Sequence, residues 1–266
     1  MLLAVDIGNT NAVVAVFDGE QIVRSWRIFS DVRRTADEYT SILLSLFRDS
    51  GLSGNSVDSS IISSVVPELI GPFIRTIQNI TGRKPFLLNY QVFDRLEIRI
   101  PDVSVHEIGT DLVCNASEAY ARYKTACIAV DFGTALSFIA TGSAGDVLGV
   151  AIAPGLGTAV KSLFSNTAQL PSVPLETPPS SLGTNTIHAI QSGIVLGYRS
   201  LVEGLIAGMK KEIAAREGLA ESAVRVIATG GLNSVLKPIT SVFQDYDERL
   251  TLFGLRRIAC RLKKNG

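Results

Sequence analysis

One pattern occurs twice in this chain and sets most of what it can become. Leu2–Val5 is a short apolar run stopped by Asp6-Ile7-Gly8-Asn9-Thr10, and Ala126–Val130 is another stopped by Asp131-Phe132-Gly133-Thr134. A second apolar run follows each turn (Ala12–Phe17 and Leu136–Thr141), then a tight turn (Asp18-Gly19 and Gly142–Asp146). A third strand-like run closes each set, over Gln21–Ile28 and Val147–Ile152. Asp-Gly between alternating apolar runs is a strong hairpin signal. A single strand that ends in Asp and Gly is usually just a tight turn. Two copies at the same place in two matching strand sets predict two similar α/β domains with a cleft between them.

The rest of each half alternates helices and strands. Thr35–Ser50 reads as a helix with Thr35 as N-cap and Glu38 three residues on, its apolar face carried by Ile42, Leu43, Leu46 and Phe47. Ser59–Val66 reads as a buried strand ended by Pro67, Glu68–Thr81 as a helix and Phe86–Leu88 as a short strand. Asp111–Tyr123 is predicted helical, and its start marks the expected boundary, giving domains over 1–115 and 116–266. Further helices are expected over Gly157–Thr167, from Thr186 to near Glu217, and near Leu252–Leu262, with a last buried strand at Val224–Ala228. Pro171–Pro179, with four prolines, reads as an ordered loop.

Composition excludes several classes. In 266 residues 46% are apolar and 19% charged, enough core material to exclude disorder as the main state. Lys+Arg and Asp+Glu balance at 25 each, so no global nucleic-acid footprint is expected. Three scattered cysteines and two histidines exclude a disulfide framework and a Cys/His zinc site. The run around Cys127–Val160 is broken by Asp131, Asp146 and Pro154, so no membrane span is expected. Met1–Asp6 has no basic n-region, and a cytoplasmic protein is expected.

The turns carry the chemistry. An Asp at the end of a buried strand can hold a cation, directly or through water. Glycine lets backbone approach a phosphate closely. Thr10 and Thr134 offer hydroxyl and amide groups to phosphate oxygens. Thr229-Gly230-Gly231-Leu232, after the last strand, adds a glycine loop that could lie against a base or ribose.

Together these motifs resemble the ATPase superfamily of actin, hexokinase-like sugar kinases, acetate kinases and Hsp70 chaperones. A longer series narrows the resemblance to the type III pantothenate kinases. It runs through Asp6–Asn11, Arg34–Tyr39, Ser63–Pro67, Gly109-Thr110-Asp111, Val130–Ala135 and Ala153–Leu156. It continues with Gly183–Thr186, Gln191–Gly193, Thr229–Leu232 and Leu250–Leu252, covering essentially the whole chain.

The resemblance implies two duplicated actin-like (ribonuclease H-like) domains with ATP in the cleft, and phosphorylation of pantothenate as the first committed step towards coenzyme A. It implies a homodimer using ATP, Mg²⁺ and a monovalent cation, K⁺ or NH₄⁺, with neither nucleic acid nor membrane as partner. By resemblance Asp6, Ile7, Gly8, Asn9, Thr10, Asn11, Ala12 and Val13 cradle ATP phosphates, Asp6 also serving Mg²⁺ through water. Thr134 contacts ATP, Asp131 holds the monovalent cation, and Asp111 is the general base. Gly109, Thr110, Asp111, Leu112 and Thr186 line the acceptor site.

Three positions depart from the family pattern. An Arg follows the catalytic Asp in the family, and here the residue is Leu112. A substrate-contacting Tyr is replaced by Asp102, and an acid near the C-terminus by Phe253. An aliphatic side chain cannot reproduce a guanidinium's paired hydrogen bonds to a carboxylate. Arg99 and Arg122 are candidates to compensate. These departures keep two rivals open, a nucleotide-binding regulator with little turnover and a kinase for a different small alcohol. His106, His188 and Trp26 read as loop, helix surface and sheet packing. Arg256, Arg257, Arg261, Lys263 and Lys264 read as a basic helix end paired with its dipole.

Overall fold

The computed structural model describes residues 1–165, 173–231 and 233–264. It divides into two compact units, Met1–Glu118 with Leu250–Gly266, and Ala119–Arg249.

In the first unit β1 (Leu2–Ile7), β2 (Asn11–Asp18), β3 (Gln21–Phe29), β4 (Ser59–Ser64) and β5 (Phe86–Leu87) form a sheet of order β3-β2-β1-β4-β5. β1–β2 and β2–β3 are antiparallel, while β1–β4 and β4–β5 are parallel. Helices α1 (Ala36–Asp49) and α2 (Pro67–Thr81) link β3 to β4 and β4 to β5. The expected cap is present: Glu38 N–H donates to Thr35 Oγ1 at 3.3 Å, and Thr35 N–H to Glu38 Oε2 at 2.7 Å. Proline at the first position of α2 costs no hydrogen bond there.

The core follows from period. Leu3, Val5 and Ile7 of β1 and Val14 and Val16 of β2 meet Leu43 and Phe47 of α1 and Leu69, Phe73 and Ile77 of α2. Each such side chain contributes roughly 1.5–3 kcal/mol when buried. Trp26 stacks on Phe47 with ring centroids 5.4 Å apart, which is the sheet packing expected of it.

The second unit repeats the plan. Strands β6 (Cys127–Phe132), β7 (Ala135–Thr141), β8 (Val147–Pro154), β9 (Arg225–Thr229) and β10 (Asp245–Tyr246) lie in the order β10-β9-β6-β7-β8. Pairing directions match those of the first sheet strand for strand. α3 (Thr110–Tyr123) runs from the first unit into the second, and α4 (Leu156–Ser165) follows β8. The expected helix over Gly157–Thr167 is therefore α4 in its described part, with Asn166 and Thr167 outside the described residues, as is Pro171 of the proline-rich loop.

The helix expected from Thr186 to near Glu217 is interrupted. α5 (Thr186–Gln191) and α6 (Gly197–Glu217) are joined by a π-helical turn at Ser192–Leu196. Such a turn adds one residue to the helical repeat and is invisible to a count of apolar positions. The core of this unit gathers Ile128, Val130, Phe132 and Phe138 with Val195, Val202 and Ile206. The short α7 (Asn233–Leu236) precedes β10.

The last helix, α8 (Leu250–Lys264), groups with the first unit, whereas the expected division gave residues 116–266 to the second domain. Its partner face explains this. Thr251 Oγ1 donates to Asn115 Oδ1 at 2.8 Å, and Arg257 Nε to Glu118 Oε2 at 2.8 Å. Between them Gly254 lies against the backbone of Cys114, where a Cβ would overlap the carbonyl. Phe253 sits edge-on to Phe17 of β2 at 5.9 Å. Arg256 pairs with Glu20 at 2.9 Å and Arg261 Nε donates to the Arg95 carbonyl at 2.6 Å, so these arginines tether the helix.

Candidate active site

The loop after β1 is Gly8-Asn9-Thr10-Asn11, closed by Gly8 N–H donating to the Asn11 carbonyl at 3.0 Å. The loop after β6 is one residue shorter and is closed by Gly133 N–H donating to the Ala135 carbonyl at 3.1 Å. Both are held the same way from the third strand of their sheets. Ser30, directly after β3, donates its N–H to the Thr10 carbonyl at 3.0 Å, and Gly155, directly after β8, donates its own to the Thr134 carbonyl at 3.0 Å. Hydroxyls add to this, Ser30 Oγ donating to the Gly8 carbonyl at 2.7 Å and Thr158 Oγ1 to the Thr134 carbonyl at 2.8 Å. Neither Ser30 nor Thr158 stands out in the sequence, because a hydroxyl beside a strand end has no pattern of its own.

Among the first-loop residues, Ile7 and Ala12 are fully buried core, while Asn9 and Thr10 are exposed and Gly8 and Asn11 half-buried. Exposed backbone and short polar side chains at Gly8–Asn11 are what a phosphate can meet, and Asp6 and Val13 are half-buried beside them. Gly133 and Thr134 are likewise exposed.

Gly230 explains part of the glycine loop. Its φ is +86°, and a Cβ there would lie 2.6 Å from the Phe132 carbonyl oxygen and 2.7 Å from Asp131 Oδ1. Only glycine accepts that conformation and that closeness. Asp131 Oδ1 and the Phe132 carbonyl oxygen therefore both lie close against Gly230. Leu232 lies outside the described residues.

Asp111 lies in the first turn of α3, and its Oδ1 accepts from the Leu112 N–H at 2.7 Å. A Cβ on Gly109 would lie 2.5 Å from that same Oδ1, so glycine leaves room for the folded-back carboxylate. Burial pushes the Asp111 pKa above its ordinary 3.8, and hydrogen bonds from the Leu112 and Asp111 amides pull it partly back. A half-buried acid with a raised pKa suits general-base work better than a fully exposed one.

Thr110 is buried, and its hydroxyl is engaged inside the protein by Ser63 and Ser64. Leu112 is 6% exposed, an aliphatic side chain packed in the unit interior. Asp102 is exposed in a run of turns, and His106 nearby is exposed and packs edge-on against Tyr90 at 4.4 Å.

Thr186 opens α5 behind the N-cap Asn185, whose Oδ1 accepts from the His188 N–H at 2.9 Å. It lines an open pocket of about 560 Å³ with Leu163, Gly183, Ile190, Gly193 and Ile194, so the π turn forms part of the wall.

Among the described residues no group of three or more His, Cys, Asp or Glu could hold a metal, and no helix is long and apolar enough to cross a membrane.

A sequence model of the family described as type III pantothenate kinase matches residues 2–208. A type III pantothenate kinase from Geobacter sulfurreducens is 39% identical over 96% of this chain and 97% of its own. Another from Treponema pallidum is 40% identical over 97% of this chain and 93% of its own.

Among solved structures, a Baf family transcriptional activator from Campylobacter jejuni superposes with a TM-score of 0.59 at 17% identity, over 99% of this chain and 98% of that one. A ROK family glucokinase from Streptomyces griseus, solved with glucose and AMPPNP, gives 0.51 at 15% identity over 98% and 99%. These two likenesses show the fold, the duplicated α/β architecture expected from the repeated turns. With a family model spanning most of its length and relatives this similar end to end, the chain belongs to the type III pantothenate kinase family.

Proposed function

We propose that this protein transfers the γ-phosphoryl group of ATP to the primary hydroxyl of pantothenate, giving 4′-phosphopantothenate for coenzyme A synthesis. The observation that carries the reading is the half-buried Asp111, folded back over Gly109 at the start of α3, in a chain whose residues 2–208 match this family.

Asp111 takes the proton of the hydroxyl as its oxygen attacks the γ-phosphorus. The bond to the bridging oxygen of ADP breaks, and ADP leaves with the electron pair. General-base help of this kind is worth about 10²–10⁴-fold. The amides and short side chains of Gly8–Asn11 position phosphate oxygens, Thr134 contacts ATP, and Thr186 contacts the acceptor.

Magnesium is held mostly by water and phosphate oxygens with one or two carboxylates. Asp6 is the carboxylate for it, through water. When bound, Mg²⁺ supplies charge neutralisation on the phosphate oxygens. Asp131 and the Phe132 carbonyl, gathered beside Gly230, are the donors for K⁺ or NH₄⁺. The family resemblance supports a homodimer and a cytoplasmic location, and sedimentation velocity of the purified protein reads the first of these.

One observation favours a second reading. Leu112 is buried and aliphatic where the family carries a cation, which suits a small alcohol without a carboxylate. Mass spectrometry of a reaction with ATP, Mg²⁺ and K⁺ separates the two. Phosphopantothenate as product supports the first reading. Phosphorylation of pantothenyl alcohol with none of pantothenate supports the second.

A further inference from the structure

Asp6 and Ser63 face each other in the parallel register of β1 and β4. Ser63 is fully buried, and its Oγ donates to Asp6 Oδ1 at 2.9 Å. The same oxygen lies 2.9 Å from Thr110 Oγ1, which accepts from the Ser64 N–H at 3.1 Å.

Chemistry fixes the direction of the bond to Asp6. An ionised carboxylate only accepts, so the single Ser63 hydroxyl hydrogen goes to Asp6. Ser63 Oγ is then left to accept from Thr110 at 2.9 Å, a shorter contact than the 3.3 Å from Thr110 Oγ1 to the Ser64 carbonyl, the other acceptor within its reach. With the Thr110 hydrogen on Ser63, the bonds run one way from the Ser64 amide through Thr110 and Ser63 to the Asp6 carboxylate. Bonds aligned this way polarise one another. Thr110 is the residue before Asp111, so the chain links the carboxylate of the phosphate loop to the start of the helix that carries the base.

The second unit repeats the placement. Thr229 is buried and faces Asp131 in the parallel register of β6 and β9. Each loop aspartate thus has a hydroxyl residue opposite it on the neighbouring strand.

We propose that Ser63 is a positioning residue for phosphoryl transfer, holding the Asp6 carboxylate and the Gly109–Asp111 turn in a fixed relation through its two hydroxyl hydrogen bonds. The inference rests on the kinase reading, in which Asp6 serves the phosphates and Asp111 the acceptor. Ser63 touches neither substrate, so its removal changes geometry while binding persists. Displacement of about 1 Å in a reacting constellation costs on the order of 10²-fold in rate.

The test compares Ser63→Ala with Ser60→Ala in the full-length protein. Ser60 lies on the same strand, is 2% exposed, and its hydroxyl has no hydrogen-bond partner, so it controls for loss of a buried serine. Steady-state rates are measured against ATP and against pantothenate, with thermal midpoints recorded alongside. The expected result is a kcat lower by roughly 10- to 100-fold in Ser63→Ala, with both KM values within about threefold of wild type. Ser60→Ala keeps wild-type kcat.

Thr110→Val, which interrupts the chain from its other end, gives the same split, and the double variant loses little more than either single one. Equal kcat in Ser63→Ala and wild type overturns the inference. So does a loss in Ser63→Ala that is confined to KM or matched by Ser60→Ala. Wild-type protein without pantothenate-dependent turnover overturns the kinase reading itself, and the inference with it.

Discussion

Asp111 Oδ1 accepts a 2.7 Å hydrogen bond from the backbone N–H of Leu112, yet burial still pushes the carboxyl pKa above 3.8. The protein therefore carries an ionised group that folding disfavours. A carboxylate whose folded pKa is raised stabilises the fold fully only below its unfolded pKa, and that contribution is lost as pH rises through the folded value. At neutral pH Asp111 is a burden on stability.

Asp111→Asn keeps the hydrogen bond from Leu112 and removes the charge. It is expected to melt higher than wild type at neutral pH, with the gap closing as pH falls towards 3.8, while turnover drops by about 10²–10⁴-fold. Thermal melts across pH check the first part. A rate profile whose acid limb has its midpoint above 3.8 checks the role of the same carboxyl.

Gly230→Ala forces a side chain into a φ of +86° and against Asp131 Oδ1. Strain of this kind costs about 1–3 kcal/mol. A lowered melting temperature is expected, together with a K⁺ titration of the rate displaced to higher concentration. A melt change without the K⁺ displacement separates backbone strain from the cation site.

Gly254→Ala places a Cβ onto the Cys114 carbonyl and so pries α8 from α3. Overpacking of a tight contact costs about 1–3 kcal/mol. Urea unfolding followed by circular dichroism should show that loss, and Asn115, Glu118 and their partners on α8 move with it.

Thr35→Ala removes one arm of the capping box of α1. About 1 kcal/mol of stability is expected to go, with kcat and both KM values unchanged. Altered kinetics in this variant would tie α1 to the reaction, a role its position does not give it.

The parts legible in the sequence were those written locally. The Asp6 and Asp131 turns, the Thr35–Glu38 box and the strand runs each rest on neighbours within a few residues. The π turn at Ser192–Leu196 has no periodic signature, and Asp245–Tyr246, two residues long, is too short for alternation to register. Grouping of α8 with the first unit depends on Gly254 meeting Cys114 across most of the chain, a contact no window can see. Ser63 is legible only as a member of the motif Ser63–Pro67, with no role of its own. Its role emerges only when register sets it opposite Asp6. The motif Gly109-Thr110-Asp111 was legible as a unit, but the inward commitment of the Thr110 hydroxyl was not.

The central claim is pantothenate-dependent phosphoryl transfer with Asp111 as base. Its most direct test is ADP release by purified protein with ATP, Mg²⁺ and K⁺, with and without pantothenate, beside Asp111→Asn. The account predicts release that requires pantothenate, stops when EDTA removes Mg²⁺, and falls by at least about 10²-fold in Asp111→Asn. ATP binding with no pantothenate-dependent release would contradict it.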